Sequence, residues 1–288
     1  MAAEWNHTRP AGRAAIRGDD LVTRAVAALK NGSPQGAEQV ACEALRADPH
    51  NSQALAVLGQ ALLMQSRVDD AIAVLESAGS RDPRVETQLA VAFHQAGRNE
   101  EALKQLKRAV KRRPPFAPAF HQLGALLFAM KHYAESIEVL ERGRAIAPAM
   151  PDLPIQLGYV YLAQRNYAEA KRAFAAALLA APAAPAALWG MGKARQQIGE
   201  NEEAVDCFRK CLALAPGDAG TWLNLGHSLL ESGDMDAGLE CFRTAARGDQ
   251  RHYFNALATL VKANRGRFWL RPSDAVRSLR GETGEADK

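Results

Sequence analysis

An all-α solenoid, built by stacking helix pairs, is the fold this sequence predicts. Three observations lead there: apolar content carried by Ala and Leu, a ladder of prolines at near-constant spacing, and a ladder of small residues in phase with it. The chain has 288 residues, of which 48% are hydrophobic and only 6% aromatic. That profile suits closely packed helices better than strands, which favour β-branched and aromatic residues.

Pro49, Pro83, Pro114, Pro148, Pro182 and Pro216 are spaced 34, 31, 34, 34 and 34 residues apart. Proline has no amide hydrogen to continue a helix and restrains the residue before it, so each marks a helix boundary. Between the prolines run Leu58-Gly59, Leu89-Ala90, Leu123-Gly124, Leu157-Gly158, Met191-Gly192 and Leu225-Gly226, all in one phase. Twelve residues later comes a second small residue: Ala71, Ala102, Ser136, Ala170, Ala204 or Gly238. Small side chains at both points let two antiparallel helices cross closely. Leu75, Leu106, Leu140, Phe174, Phe208 and Phe242 follow, expected to fill the space between neighbouring repeats. Gly97, Gly199 and Gly233 supply turns within pairs.

With these residues in view, the chain resembles the tetratricopeptide repeat (TPR) family in its bacterial multi-repeat form. The fullest copy of the motif is Leu157-Gly158, Tyr161, Tyr167, Ala170, Phe174, Ala177, Pro182; Trp222, Leu225, Gly226, Phe242 and Ala245 make another. The resemblance implies a right-handed superhelix of about seven helix pairs over residues 18–250. Repeats are expected at 18–51, 52–82, 83–116, 117–150, 151–184, 185–218 and 219–250. Arg24, where the motif has Leu, marks the first as a polar N-terminal cap. The third begins three residues short, at Asp82-Pro83-Arg84-Val85, which is expected to tighten the turn or trim that repeat's first helix.

Residues 1–17 show no periodicity and read as a flexible arm, and 282–288 as disordered. Residues 251–281 read as a C-terminal capping helix with a basic and aromatic tail, because the last repeat of a solenoid otherwise exposes an apolar face. In that tail Phe268, Trp269 and Leu270 either fold back onto the cap or form a docking motif, and Ser273-Asp274 caps a short piece ending at Gly281.

The resemblance also sorts residues by face, the first helix of each pair lining the concave groove. Its sixth position holds Gln88, Gln122 and Gln156, then Gly190, then Asn224. A row of amides offers a donor and an acceptor at each step to an extended peptide backbone. The row is similar to the asparagine ladder of O-linked N-acetylglucosamine transferases; a merely solvated position would also take such residues. Phe128, Tyr159, Leu162, Trp189 and Leu223 bring apolar groups to the same face, Tyr159 and Trp189 being the candidate anchors. Lys193 and Asn224 occupy positions similar to the carboxylate clamp of chaperone adaptors. Ala186, Trp189, Gly220 and Leu223 stand where its other members belong, so that clamp is not expected.

The net charge is +4, with a sequence pI near 8.9. Lys104, Lys107, Arg108, Lys111, Arg112 and Arg113 cluster on one second helix, with Lys111–Arg113 suited to the macrodipole at its C-terminus. No stacking aromatics are interleaved, so a solvated convex face is expected and no nucleic acid.

Cys207 and Cys211 are four apart, but Cys211 falls at the family's buried small position and no further ligand completes a site. No phosphate loop, nucleophile elbow or zinc-protease motif occurs, and the repeats leave no room for a catalytic domain. Four cysteines are too few for a disulfide scaffold, and no apolar run has the ~20 residues of a membrane span. The sequence therefore predicts a cytoplasmic, non-catalytic scaffold or adaptor without cofactor or metal, holding a protein or peptide segment in its groove. The alternative is an accessory subunit that self-associates or serves a separate glycosyl- or sulfotransferase-like enzyme or an envelope assembly machine. It would work through its convex basic face or its tail.

Overall fold

The computed structural model describes residues 18–79 and 82–247, with Phe254, Asn255, Ala258, Val276 and Leu279. The arm at 1–17, the tail triplet Phe268, Trp269 and Leu270, and residues 282–288 lie outside the described residues, as does most of the expected capping segment.

Among the described residues there are fourteen helices and no strand. They run in pairs: α1 (Gly18–Lys30) with α2 (Pro34–Ala47), α3 (Ser52–Met64) with α4 (Val68–Ser77), and α5 (Pro83–Gln95) with α6 (Asn99–Ala109). Next come α7 (Ala117–Ala129) with α8 (Tyr133–Ile146), and α9 (Asp152–Ala163) with α10 (Tyr167–Ala180). The last are α11 (Pro185–Gln197) with α12 (Asn201–Leu214), and α13 (Ala219–Ser232) with α14 (Met235–Ala246). This is the α-solenoid. The proline ladder falls at the connections between pairs or, for Pro83, at the first residue of α5, where a missing amide hydrogen costs nothing.

Contacts divide the chain into two compact units, residues 1–122 and 123–288, with the boundary inside α7. In the first unit α3 packs on both α1 and α5, so first helices form one layer and α2 and α4 cover it. In the second unit α11 packs in the same way on α9 and α13, with α10 and α12 behind.

The turn within every pair is closed by one device. Gly32, Ser66, Gly97, Lys131, Arg165, Gly199 and Gly233 all have positive φ, between 59° and 95°. The next residue's amide donates back to the last turn of the first helix: Arg98 N to Phe93 O at 2.8 Å, for example, and Asp234 N to Leu229 O at 2.9 Å. That is the Schellman arrangement, which satisfies carbonyls the helix end would leave unpaired.

Close crossing is the second device. A Cβ on Gly158 would stand 2.5 Å from Cε1 and Cζ of Phe174, and one on Gly192 2.7 Å from Cε1 of Phe208. Leu75 meets Gly59 likewise. These large residues thus seat on the glycine of their own pair, a contact the expectation of filling the space between repeats did not include. Phe174 does both, for its ring tip also meets Gly190 of the next pair. Where the small position carries a hydroxyl, Ser136 Oγ donates to Gly124 O at 2.8 Å, so it stays satisfied while buried.

The three-residue deletion is absorbed elsewhere than expected. α5 keeps 13 residues, while α4 has 10 against 14 in α8, α10 and α12. Pro83 and the Asp82 cap, whose Oδ1 accepts from Arg84 N at 2.8 Å, fix the start of α5. The loss therefore falls on the helix before it. Beside the shortened helix lies a notch of about 280 Å³, lined in part by Leu75, Glu76, Glu86 and Arg108. Glu86, 3% exposed, is held there by both nitrogens of one edge of Arg112, at 2.6 and 3.2 Å. Arg112 lies just beyond the end of α6, and this ion pair gives its charge a partner in addition to the helix end.

Candidate functional site

The first helices of the two units carry the predicted site residues. In the first unit Gln88 and Gln122 are half-buried, and in the second so are Gln156 and Asn224. No hydrogen bond to another described residue holds the side chains of Gln88, Gln122 or Gln156. Asn224 differs. Its Nδ2 donates to Gly220 O at 2.9 Å and its Oδ1 accepts from Lys193 Nζ at 2.9 Å, so its amide is spent inside the fold. The interruption of the row at Gly190 also has a cause, since any side chain there would enter the volume of Phe174.

The two aromatic candidates lie together. Tyr159 packs edge-on against Phe174, with ring centroids 5.5 Å apart, and tilted against Trp189 at 6.2 Å. Its hydroxyl donates to Ala186 O at 3.1 Å, tying α9 to α11. Burial, and after it the nearby Cys211, raises the Tyr159 phenol above its usual range. Trp189 is half-buried against the core formed around Val205, Phe208 and Leu225. Leu162 joins the core around Phe174, Phe128 leans on Tyr133 at 5.8 Å, and Leu223 is half-buried.

Next to the aromatic pair is a polar cluster that sequence reading resolved only in part. Lys193 Nζ donates to Gln196 Oε1 and to Asn224 Oδ1, each at 2.9 Å. Gln196, 8% exposed, donates through Nε2 to Asn224 O at 3.0 Å and Ser228 Oγ at 2.9 Å. Burial lowers the proton affinity of Lys193. His227, one turn from Asn224 on α13, is also held below its usual range, first by burial and then by the charge of Lys193, against an opposing pull from Glu231. Its Nδ1 is enclosed and meets no partner. Gln196 and Ser228 were the residues missed. Their signal was polar side chains one helical turn from Lys193 and Asn224, on helices whose other inward positions are apolar or small.

Family profiles described as tetratricopeptide repeat match residues 22–84, 87–151, 155–219 and 219–250. The chain belongs to the tetratricopeptide repeat family. No curated protein shows significant similarity to it over its sequence. Among solved structures, this TPR chain is similar to a tetratricopeptide repeat protein of Parabacteroides merdae, at 17% identity and TM-score 0.57. The match covers 84% of this chain and 98% of that one. It is similar to the APC/C Cut9–Hcn1 assembly at 14% identity and TM-score 0.69, over 84% of this chain and 49% of the other. The pilF protein of Pseudomonas aeruginosa matches at 20% identity and TM-score 0.58, covering 74% and 97%. At these identities the likeness is one of fold.

The repeat also accounts for the cysteines. Cys207, Cys211 and Cys241 are buried and Cys42 is half-buried. Cys211 Sγ donates to Pro185 O at 3.5 Å, while Cys207 Sγ accepts from Arg195 at 3.5 Å. Burial pushes all three buried thiols up, Cys241 to about 11. Among the described residues no three His, Cys, Asp or Glu side chains gather as a metal site would need. In iodoacetamide labelling of native protein near neutral pH, Cys42 should react at least about tenfold faster than the other three. All four should react alike in urea. Equal native rates would show that the pairs open freely.

No helix among the described residues is long and apolar enough to cross a membrane. On the second helices, Arg108 stands 3.8 Å from Glu86 and Lys171 Nζ donates to Glu200 at 2.6 Å, so part of the basic face is paired. Lys104, Lys107, Lys111 and Arg113 remain exposed.

Proposed function

We propose that this TPR chain is a non-catalytic scaffold that holds a protein or peptide segment against the first helices of its pairs. TPR repeats serve in general as protein-interaction scaffolds, and one observation supports placing the contact on these helices. Gln88, Gln122 and Gln156 occupy one repeat position, are half-buried, and leave both donor and acceptor unspent within the fold. A half-buried amide with no internal partner is satisfied by water or by a ligand's peptide groups. Tyr159 and Trp189 add aromatic area that loses little entropy on binding. Lys193 supplies the charge.

The test is the variant Gln88→Ala/Gln122→Ala/Gln156→Ala, used beside wild type to capture partners from a cell lysate. Helicity and thermal midpoint should not change, because no internal hydrogen bond is removed. A partner held by wild type should be lost or weakened about tenfold, on the scale of three hydrogen bonds at about 0.5–1.5 kcal/mol each with partial loss to water. Full retention of every partner would sink this reading. The interface would then move to the exposed lysines of α6 or to Phe268, Trp269 and Leu270, in line with an accessory subunit that self-associates or serves another enzyme.

A further inference from the structure

We propose that the basic back of α6 is a docking surface for a second copy of this chain, which it meets along the exposed stripe of α12. Both helices are second helices, so the inference stands apart from the segment held on the first helices.

Charge is unevenly spread along the chain. Residues 102–122 hold six of the 36 basic residues and none of the 32 acidic ones, which leaves 30 against 32 elsewhere. Of the six, Arg112 turns inward to Glu86, and Arg108 stands 3.8 Å from the same carboxylate. Lys104, Lys107 and Lys111 are exposed and form no ion pair among the described residues. Their spacing of three and four sets them on one stripe of α6 and its exit. Other second helices carry an acid beside the cation: Arg144 meets Glu141, Arg172 meets Glu169 and Arg243 meets Glu240. After Glu101, α6 has no acid to do this.

α12 is the counterpart. Residues 200–206 hold four acids and no base. Glu200 is taken by Lys171, but Glu202, Glu203 and Asp206 are exposed without an ion pair among the described residues. Arg209 and Lys210 follow, also exposed. Both helices therefore run from acid to base, α6 from Glu100 and Glu101 to its lysines. Two such helices repel when parallel and attract when antiparallel.

One antiparallel register satisfies both stripes. With Lys104 opposite Asp206, Lys107 stands opposite Glu203 and Arg108 opposite Glu202. The same register brings Lys210 to Glu100 and Arg209 to Glu101. No like charges are opposed, and that is how charge selects a partner and fixes its register. A nucleic acid or an anionic membrane suits the surface less well. Glu100 and Glu101 would repel it, and no exposed side chain of α6 is apolar or aromatic.

The contact is heterologous, since each copy offers α6 to one neighbour and α12 to another. Exposed ion pairs contribute little each, so the association is weak and screened by salt. Light scattering on the full chain tests it, in about 0.05 M and about 0.5 M salt. Wild type should exceed the single-chain mass of 31.1 kDa at the lower salt and return to it at the higher. Lys104→Gln/Lys107→Gln/Lys111→Gln neutralises one surface, and Glu202→Gln/Glu203→Gln/Asp206→Asn the other. Each alone should associate about tenfold more weakly. Circular dichroism should match wild type, because neither variant removes an ion pair among the described residues. Mixed in equal amounts, the two should recover wild-type affinity yet stop at two chains, because each brings the surface the other lacks.

A wild type that stays at 31.1 kDa in low salt would overturn the proposal. So would an assembly that neither variant weakens, or a mixture no heavier than its components. Gln88→Ala/Gln122→Ala/Gln156→Ala should assemble as wild type does; dissociation there would move the contact to the first helices and overturn this one.

Discussion

Gly190→Leu should lower the stability of the second unit by about 1–3 kcal/mol or more, the usual cost of forcing extra atoms into a filled core. The ring of Phe174 is fully buried, with its tip against Gly190 of the next pair and its edge against Gly158 of its own. It has nowhere to retreat. A Cβ at either glycine falls inside contact distance, so Gly190→Ala is already damaging and Gly158→Leu should behave alike. Phe174→Leu alone loses ring volume and is destabilising. Combined with Gly190→Ala it should recover part of the loss, because the shorter side chain vacates the space the methyl needs. Urea melts of the four proteins close this cycle, and simple additivity would show that ring and glycine are not in the contact described.

Arg112→Met should cost more than removal of any other arginine described. Most ion pairs on the second helices join exposed partners three residues apart, such as Arg172 with Glu169, and such pairs contribute little. Glu86 is different, since it is almost wholly enclosed and depends on the two hydrogen bonds from Arg112. Arg108, at 3.8 Å, is too distant to replace them. Removing Arg112 leaves a buried carboxylate with no close partner, and the penalty belongs to the abandoned acid more than to the missing base. Hence Arg112→Met/Glu86→Leu should be more stable than Arg112→Met alone, and Arg172→Met should barely move the urea midpoint. A double variant no better than the single would locate the effect in lost packing of the arginine stem.

What the sequence made legible was whatever repeats. Prolines at the connections and glycines at the crossings are imposed by backbone geometry, so they recur at every copy and announce themselves by spacing. The turns show where this stops. All seven need a left-handed residue, yet Ser66, Lys131 and Arg165 fill three of them, bearing a cost of about 1–2 kcal/mol each that the surrounding bonds override. Features used once left no pattern to read. The bond from Arg112 to Glu86 spans 26 residues and has no counterpart in other pairs among the described residues. Asn224 shared a phase with the three glutamines, but its shorter side chain reaches Gly220 O and Lys193 instead of solvent. The enclosed nitrogen of His227 depends on how α11 and α13 meet, which no local rule specifies.

Within each unit the described helix pairs pack on the pairs next to them in the chain, which makes stability there closer to a sum along a line than to one shared core. Damage in such a chain is local, and so is repair. After Gly190→Leu, amide exchange should accelerate first in α9 to α12, while α1 to α5 keep the protection they had. A partner bound across several pairs would couple segments that are otherwise thermodynamically independent, so that binding itself becomes the source of cooperativity. In such a molecule the guest helps decide how much of the host stays folded as one.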